Sequence, residues 1–342
     1  MTAKTVPAAG ATQLPGESVP YVLEAGGGRA HLLLGEVGRA LAGSEETAGA
    51  MSVMTLTGPT APRPIPQHYH EREHDIFLCV RGRFQVWAGD ESRILTPGDF
   101  ASVPHGARHA YQSLDHCSMF MGPIVPAGWD RFFDLCGTPY DGPAYPPVDH
   151  SPPPFEKFGQ AEVQFAMTYL PDAPYAEVTL DAPDDALPGT ETPYFLRAGQ
   201  GPRHAAFGQV AFQLMRAEET AGRMGMAIVD GPTGSLVPAH SHAQTAEAIY
   251  CLSGLLTLTL DGTEHILAQG DFANVPPGTV HSIRFERSLS RYATMNVPAG
   301  IERFHELAGE VAEQRIFASA PVPASAAGLE AAADQLDVVL GE

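Results

Sequence analysis

The chain has 342 residues, 44% of them hydrophobic, and a formal net charge of −20 from 40 acidic and 20 basic side chains. That length suits two domains of roughly 150 residues, and the acidic balance argues against nucleic acid and anionic membranes as partners, since both need clustered cations. The opening MTAKTVPAAGATQLPGES lacks the apolar core of a secretory signal and no later run approaches a membrane span, so a cytoplasmic location is expected.

Residues 1–17 read as a disordered N-terminal segment. From 18 to 148, short alternating apolar runs stand between Gly, Pro and Asp punctuation, as in DIFLCVRGRFQVWAGDESRILTPGDFASVP, which is the pattern of many short antiparallel strands. GWDRFFDLCG at 128–137 carries helical spacing and closes this domain. Residues 149–170, opening with DHSPPPFEKF, read as a linker by composition. From 171 to 322 the scheme returns in AIYCLSG, LLTLTLDGTEHIL and FANVPPG, with Asp261-Gly262 as a type I′ hairpin turn and GIERFHELAGEV at 300–311 as the closing helix. The Ala-rich tail, 323–342, is expected to form a loose helix or nothing ordered.

The two domains are copies of one module. Pro20-Tyr21 pairs with Pro193-Tyr194, His31 with His204, and EETAG at 45–49 with EETAG at 218–222, all offset by 173. After GPT at 58–60 and 231–233 the offset is 172, which aligns Cys79 with Cys251, Gly82 with Gly254, and VPAG at 125–128 with VPAG at 297–300. A single slip placed in a Pro-rich loop is where a duplicated chain tolerates change. The four cysteines show no CxxC or other paired spacing and read as reduced packing residues.

HYHEREHD at 68–75 followed by GDFASVPHGARH at 98–109 recurs as HSHAQTAE at 240–247 followed by GDFANVPPGTVH at 270–281. Side chains alternate across a strand, so His68 and His70 share a face, as do His240 and His242, and each pair can grip one ion. A carboxylate and a third His follow at fixed steps. Three imidazoles and a carboxylate, written twice, read as two first-row metal sites. His74 competes with Asp75 for the acidic position. Its counterpart is Ala246, whereas Asp75 aligns with Glu247, so the repeat register favours Asp75.

These two motifs, present in both copies, resemble those of the cupin superfamily. The HxHxxxxE spacing, the opening PYVLEAGGG and the phrase RFFDLCGTPYDGPAYPP are most similar to the bicupin flavonol (quercetin) 2,3-dioxygenases over roughly residues 20–310. The resemblance implies an all-β chain of two tandem cupin barrels (double-stranded β-helix, or jelly-roll) with short closing helices. It implies one metal on His68, His70, His109 and Asp75 and a second on His240, His242, His281 and Glu247. Asp75 stands where the family has Glu, and is shorter by roughly 1.5 Å, so both ligation and a purely basic role stay open.

The activity implied is ring-opening of a flavonol by O₂, with Asp75 or Glu247 as general base and release of CO and a depside. The metal, one ion per domain, is Cu, Fe, Mn, Ni or Co, because such sites accept several ions. Two residues beyond the first site's ligands stand Phe77 and Tyr111, against Ile249 and Ile283 in the second copy, which makes the first pocket aromatic. Met51, Met121 and His31 are further pocket candidates, although Phe77 and Tyr111 would also serve as plain barrel filling. Alternatives are a cupin enzyme acting on another aromatic or enol substrate, or a non-catalytic, pirin-like regulatory bicupin. An oxalate-decarboxylase-like reaction needs a small polar pocket with a cation, which these residues do not offer. The expected partner is a small aromatic molecule, and the chain is expected as a monomer or homodimer.

Overall fold

The computed structural model describes residues 10–149, 151–180, 186–315 and 322–341. Among these, each copy forms one eight-stranded and one five-stranded sheet, and the strand orders of the two copies match position by position. The alternating apolar runs become strands because one face of each can be buried in a barrel interior. In the first copy that interior is aromatic: the Phe120 ring lies 5.1 Å from Phe77, 5.0 Å from Phe84 and 5.1 Å from Tyr111. In the second it is mainly aliphatic, with Ile249, Leu256, Leu258, Leu267 and Ile283 buried around Phe285 and Tyr292.

The compact units differ from the domain limits expected from the repeat. One is Gly28–Gln200, and the other joins Gly201 onward to the chain before Gly28. The strand Tyr21–Leu23 lies early in the first copy but pairs antiparallel with Phe272–Val275 of the second. Its equivalent, Tyr194–Leu196, lies early in the second copy but pairs with Phe100–Val103 of the first. The Asp of each GDF phrase fastens the visiting strand: Asp271 Oδ1 accepts the Ala25 N–H at 2.7 Å, and Asp99 Oδ1 accepts the Ala198 N–H at 2.8 Å. Part of the expected disordered segment 1–17 lies outside the described residues. Ala11, within it, is tied to the visiting strand, its N–H donating to the Val22 carbonyl at 2.7 Å.

The expected linker and tail are structured. Residues 149–170 supply the helix Phe155–Gln164 and the strand Met167–Tyr169, which pairs with His68–His70. The tail supplies the helix Ala326–Gln335 and the strand Val339–Leu340, which pairs with the strand Leu236–Ser241. Both are the last element of a repeat, laid along the strand that carries the HxH pair. The closing helices are shorter than expected, Asp130–Cys136 in one copy and Ile301–Arg303 with Phe304–Ala308 in the other. All four cysteines are free, and three are buried as expected, but Cys117 is exposed because it lies in the turn before the strand Ser118–Val125.

Leu23 is fully buried. Leu23→Ala should therefore cost about 2–5 kcal/mol in the unit that contains the second copy. Both tryptophans, Trp87 and Trp129, belong to the other unit. The far-UV circular dichroism transition should then move to lower denaturant while tryptophan fluorescence does not. Equal shifts in both signals would refute this placement of the strand's contribution.

Candidate metal centres

The two four-residue groups singled out by spacing each converge. His68, His70, Asp75 and His109 present ligand atoms all within 4.8 Å of one another, as do His240, His242, Glu247 and His281, and all eight side chains are buried. The imidazole triangles are nearly identical. Ring centroids lie 4.2 Å apart for His68–His109 and for His240–His281, and 5.2 Å apart for His70–His109 and for His242–His281. Strand alternation produces this arrangement: the HxH pair sits on one strand, and the third His lies directly across the ladder, His109 opposite His68 and His281 opposite His240.

Asp75 reaches as far inward as Glu247. Its Oδ2 lies 2.9 Å from His109 Nε2 and 3.1 Å from His70 Nε2, while Glu247 Oε2 lies 3.0 Å from His281 Nε2 and 3.4 Å from His242 Nε2. Yet the Nε2 atoms of His70, His109, His242 and His281, although buried, make no hydrogen bond among the described residues. Buried orphans of this kind are costly unless something else satisfies them. A transition ion at about 2.0–2.2 Å from each ligand puts neighbouring ligand atoms roughly 3.0–3.4 Å apart, which matches these spacings. The donor set therefore fits such an ion in both copies.

The outer nitrogens support this fit. His68 Nδ1 is 2.9 Å from the Pro66 carbonyl, His109 Nδ1 3.1 Å from that of Ala107, His240 Nδ1 2.8 Å from that of Pro238, and His281 Nδ1 3.1 Å from that of Thr279. A carbonyl only accepts, so each ring donates from Nδ1 and keeps its Nε2 lone pair for the centre. Burial, reinforced by the neighbouring imidazoles, holds His68 well below its ordinary value and brings His240 down to about 3, so both stay neutral. Burial works to raise the carboxyls of Asp75 and Glu247, but the imidazoles of His70 and His109, and of His242 and His281, outweigh it and hold both well below the usual range.

His74 does not join the first centre. It alternates to the opposite face from Asp75, with its Nε2 2.7 Å from Ser102 Oγ. The proposed pocket residues divide. Phe77 packs 6.1 Å from the His109 ring and 6.1 Å from Tyr111. The Tyr111 hydroxyl donates to Glu36 Oε2 at 2.8 Å, and burial pushes that carboxyl up to about 7. Met121 is buried but alternates away from Phe120, so it leaves the aromatic interior. Met51, also fully buried, precedes the strand Ser52–Gly58, whose inward face carries Leu56 opposite Phe120. His31 sits beside the first closing helix, 3.5 Å from Asp134. Strand parity sets Met121 on the face opposite Phe120.

Other residues at the centres carried no signal by themselves. The Trp129 indole stands edge-on to His70 at 4.2 Å and stacks on Phe132 at 4.6 Å. The Thr294 hydroxyl donates to Glu247 Oε1 at 2.6 Å, where the first copy has Gly122, and the buried Asp75 Oδ1 has no partner among the described residues. Beside the second centre is a cavity of about 30 Å³, lined by His240, Glu247, His281, Glu302, Phe304 and His305 among others. It is far below the roughly 300–1,000 Å³ of pockets that take drug-sized ligands.

Comparison with known proteins agrees with this geometry. The cupin domain model matches residues 59–121 and again 227–289. The chain thus carries two cupin domains, one in each copy. It is 29% identical over 308 residues to a quercetin 2,3-dioxygenase of Bacillus subtilis (strain 168), covering 90% of this chain and 91% of that one. It is 28% identical over 177 residues to a quercetin 2,3-dioxygenase of Aspergillus japonicus, covering 44% and 51%. Among solved structures, an oxalate decarboxylase of Bacillus subtilis superposes with a TM-score of 0.54 at 17% identity over 84% of this chain and 79% of that one. That likeness shows the fold. No helix among the described residues is long and apolar enough to cross a membrane.

Proposed function

We propose that the chain is a metal-dependent dioxygenase that opens the central ring of a flavonol such as quercetin with O₂, releasing CO and a depside, and that the first barrel is the reactive one. The observation that carries this is the buried Asp75 Oδ1, without a hydrogen-bond partner among the described residues and beside three inward imidazoles in an aromatic interior. The identity to two quercetin 2,3-dioxygenases supports the substrate class.

His68, His70, His109 and Asp75 would hold a transition ion, which when bound would supply Lewis-acid stabilisation of a substrate enolate. The chain's own residues do the rest. Asp75 directs Oδ2 towards His70 and His109, which leaves Oδ1 to take the enol proton as general base. Phe77 and Trp129 present apolar ring surface beside His109 and His70, suited to a planar aromatic substrate and to exclusion of water. In the second barrel the Thr294 hydroxyl occupies the equivalent carboxylate oxygen.

The test is reconstitution of metal-depleted protein, ion by ion, with quercetin under O₂ while CO is monitored. At least one ion should give O₂ uptake, quercetin loss and CO in equal amounts. Flavonol left intact with every ion, at full metal occupancy, would overturn the proposal.

A further inference from the structure

The last strand of each repeat lies along the HxH strand in the same register, with Tyr169 opposite His68 and Leu340 opposite His240. At that offset of 171, Asp337 falls where the first copy has Ala166. The two positions act differently. The Ala166 carbonyl accepts the Glu71 N–H at 2.9 Å. The Asp337 carbonyl is 2.8 Å from His242 Nδ1, and its carboxylate accepts the N–H groups of Ala243, Gln244 and Thr245 at 2.9, 2.6 and 2.7 Å. These donors immediately follow the HxH pair. His70, the equivalent of His242, has a buried Nδ1 with no hydrogen bond among the described residues.

Asp337 is itself held in place by the core. Val338 and Ala332 are buried with the second barrel's cluster, and the helix Ala326–Gln335 is capped by Ser325, whose side chain accepts the Gly328 N–H at 2.9 Å.

We propose that Asp337 is a positioning residue that fixes the donor tautomer and orientation of His242, and so makes the second centre the tighter of the two metal sites. An imidazole whose outer N–H is already bonded to a carbonyl keeps its Nε2 lone pair aimed at the ion before the ion arrives. In the first centre His70 has no such acceptor, and Trp129 packs against its ring instead. The inference rests on both centres binding metal, whereas the proposed function requires it of the first alone.

The experiment uses the full chain with one centre removed at a time. His109→Ala leaves the second centre intact, and His281→Ala leaves the first. Metal-depleted proteins are titrated with Co²⁺ against a competing chelator, and affinity is read from bound metal. The His109→Ala protein should bind Co²⁺ more tightly than the His281→Ala protein. Adding Asp337→Ala, which keeps the carbonyl but frees the Ala243, Gln244 and Thr245 amides that hold it against His242, should lower affinity in the His109→Ala protein by less than the roughly 10–100-fold of losing the whole outer partner, and leave the His281→Ala protein unchanged. Asp337→Asn, which keeps the shape and one acceptor oxygen, should fold with the parent circular dichroism spectrum and lose affinity by a smaller factor. An unchanged affinity in His109→Ala protein carrying Asp337→Asn or Asp337→Ala overturns the proposal, as does an equal loss in both backgrounds. Failure of the His109→Ala protein with Asp337 intact to take up Co²⁺ would instead sink the metal-binding reading beneath it.

Discussion

Asp75→Asn should lower flavonol turnover by about 10²–10⁴-fold, the usual worth of a positioned general base, whereas Glu247→Gln should lower it far less. The two carboxylates approach their imidazoles at similar distances, so closeness to the centre does not separate them. The difference lies in the second oxygen of each. Glu247 Oε1 receives the Thr294 hydroxyl, and Asp75 Oδ1 has no partner among the described residues. Asn keeps the outline of Asp but replaces that acceptor charge with an amide. Oxygen uptake at saturating metal, with bound metal checked in each variant, reads the contrast directly. Equal losses, or a larger one for Glu247→Gln, would place the reaction elsewhere.

His109→Ala should abolish turnover together with one of the two bound metal equivalents, while His281→Ala loses one equivalent and keeps turnover. His109 is the hub of the first centre, with its ring 4.2 Å from that of His68 and 5.2 Å from that of His70, and its Nε2 2.9 Å from Asp75. Two imidazoles and a carboxylate can hold a divalent ion where the site is shaped for three ligands, but here the deletion opens a void where the ring facing His68, His70 and Asp75 stood, so the ion should exchange with solvent during gel filtration. Metal analysis after gel filtration gives the stoichiometry, and oxygen uptake gives the activity. Turnover surviving in His109→Ala but not in His281→Ala would transfer the chemistry to the second barrel.

The metal-centre groupings were legible in the sequence because they depend on strand geometry, which has a fixed period. Two His one residue apart must share a face, and a third across a ladder must meet them, so spacing alone carried His68, His70 and His109 to one point. Asp261 and Gly262 both adopt positive φ, as a type I′ turn requires, so local turn chemistry was equally readable. Pairing partners were not. Tyr21 and Tyr194 share the repeat offset whichever barrel each joins, since self-similarity says which segments are equivalent and nothing about which edge each one meets. The segments that flank the HxH strands also escaped notice. Their offset drifts to 171, and the resemblance between AEVQFAMTY and AADQLDVVL is too faint to reveal a repeat. Asp337 gave no signal because its role depends on a carbonyl and a loop far away in sequence. Met121 failed on parity, for it lies one residue from Phe120, which does face the interior.

The early strand of each copy completes the other copy's sheet, and this has a genetic consequence. A deletion that removed either copy at the repeat boundary would strip a buried strand from the survivor and uncover a row of unsatisfied backbone amides and carbonyls. Such raw edges invite aggregation. The excision that would spare a barrel has other limits, from Gly28 to Gln200, because it leaves the visiting strand Tyr21–Leu23 on the same chain as the sheet it completes.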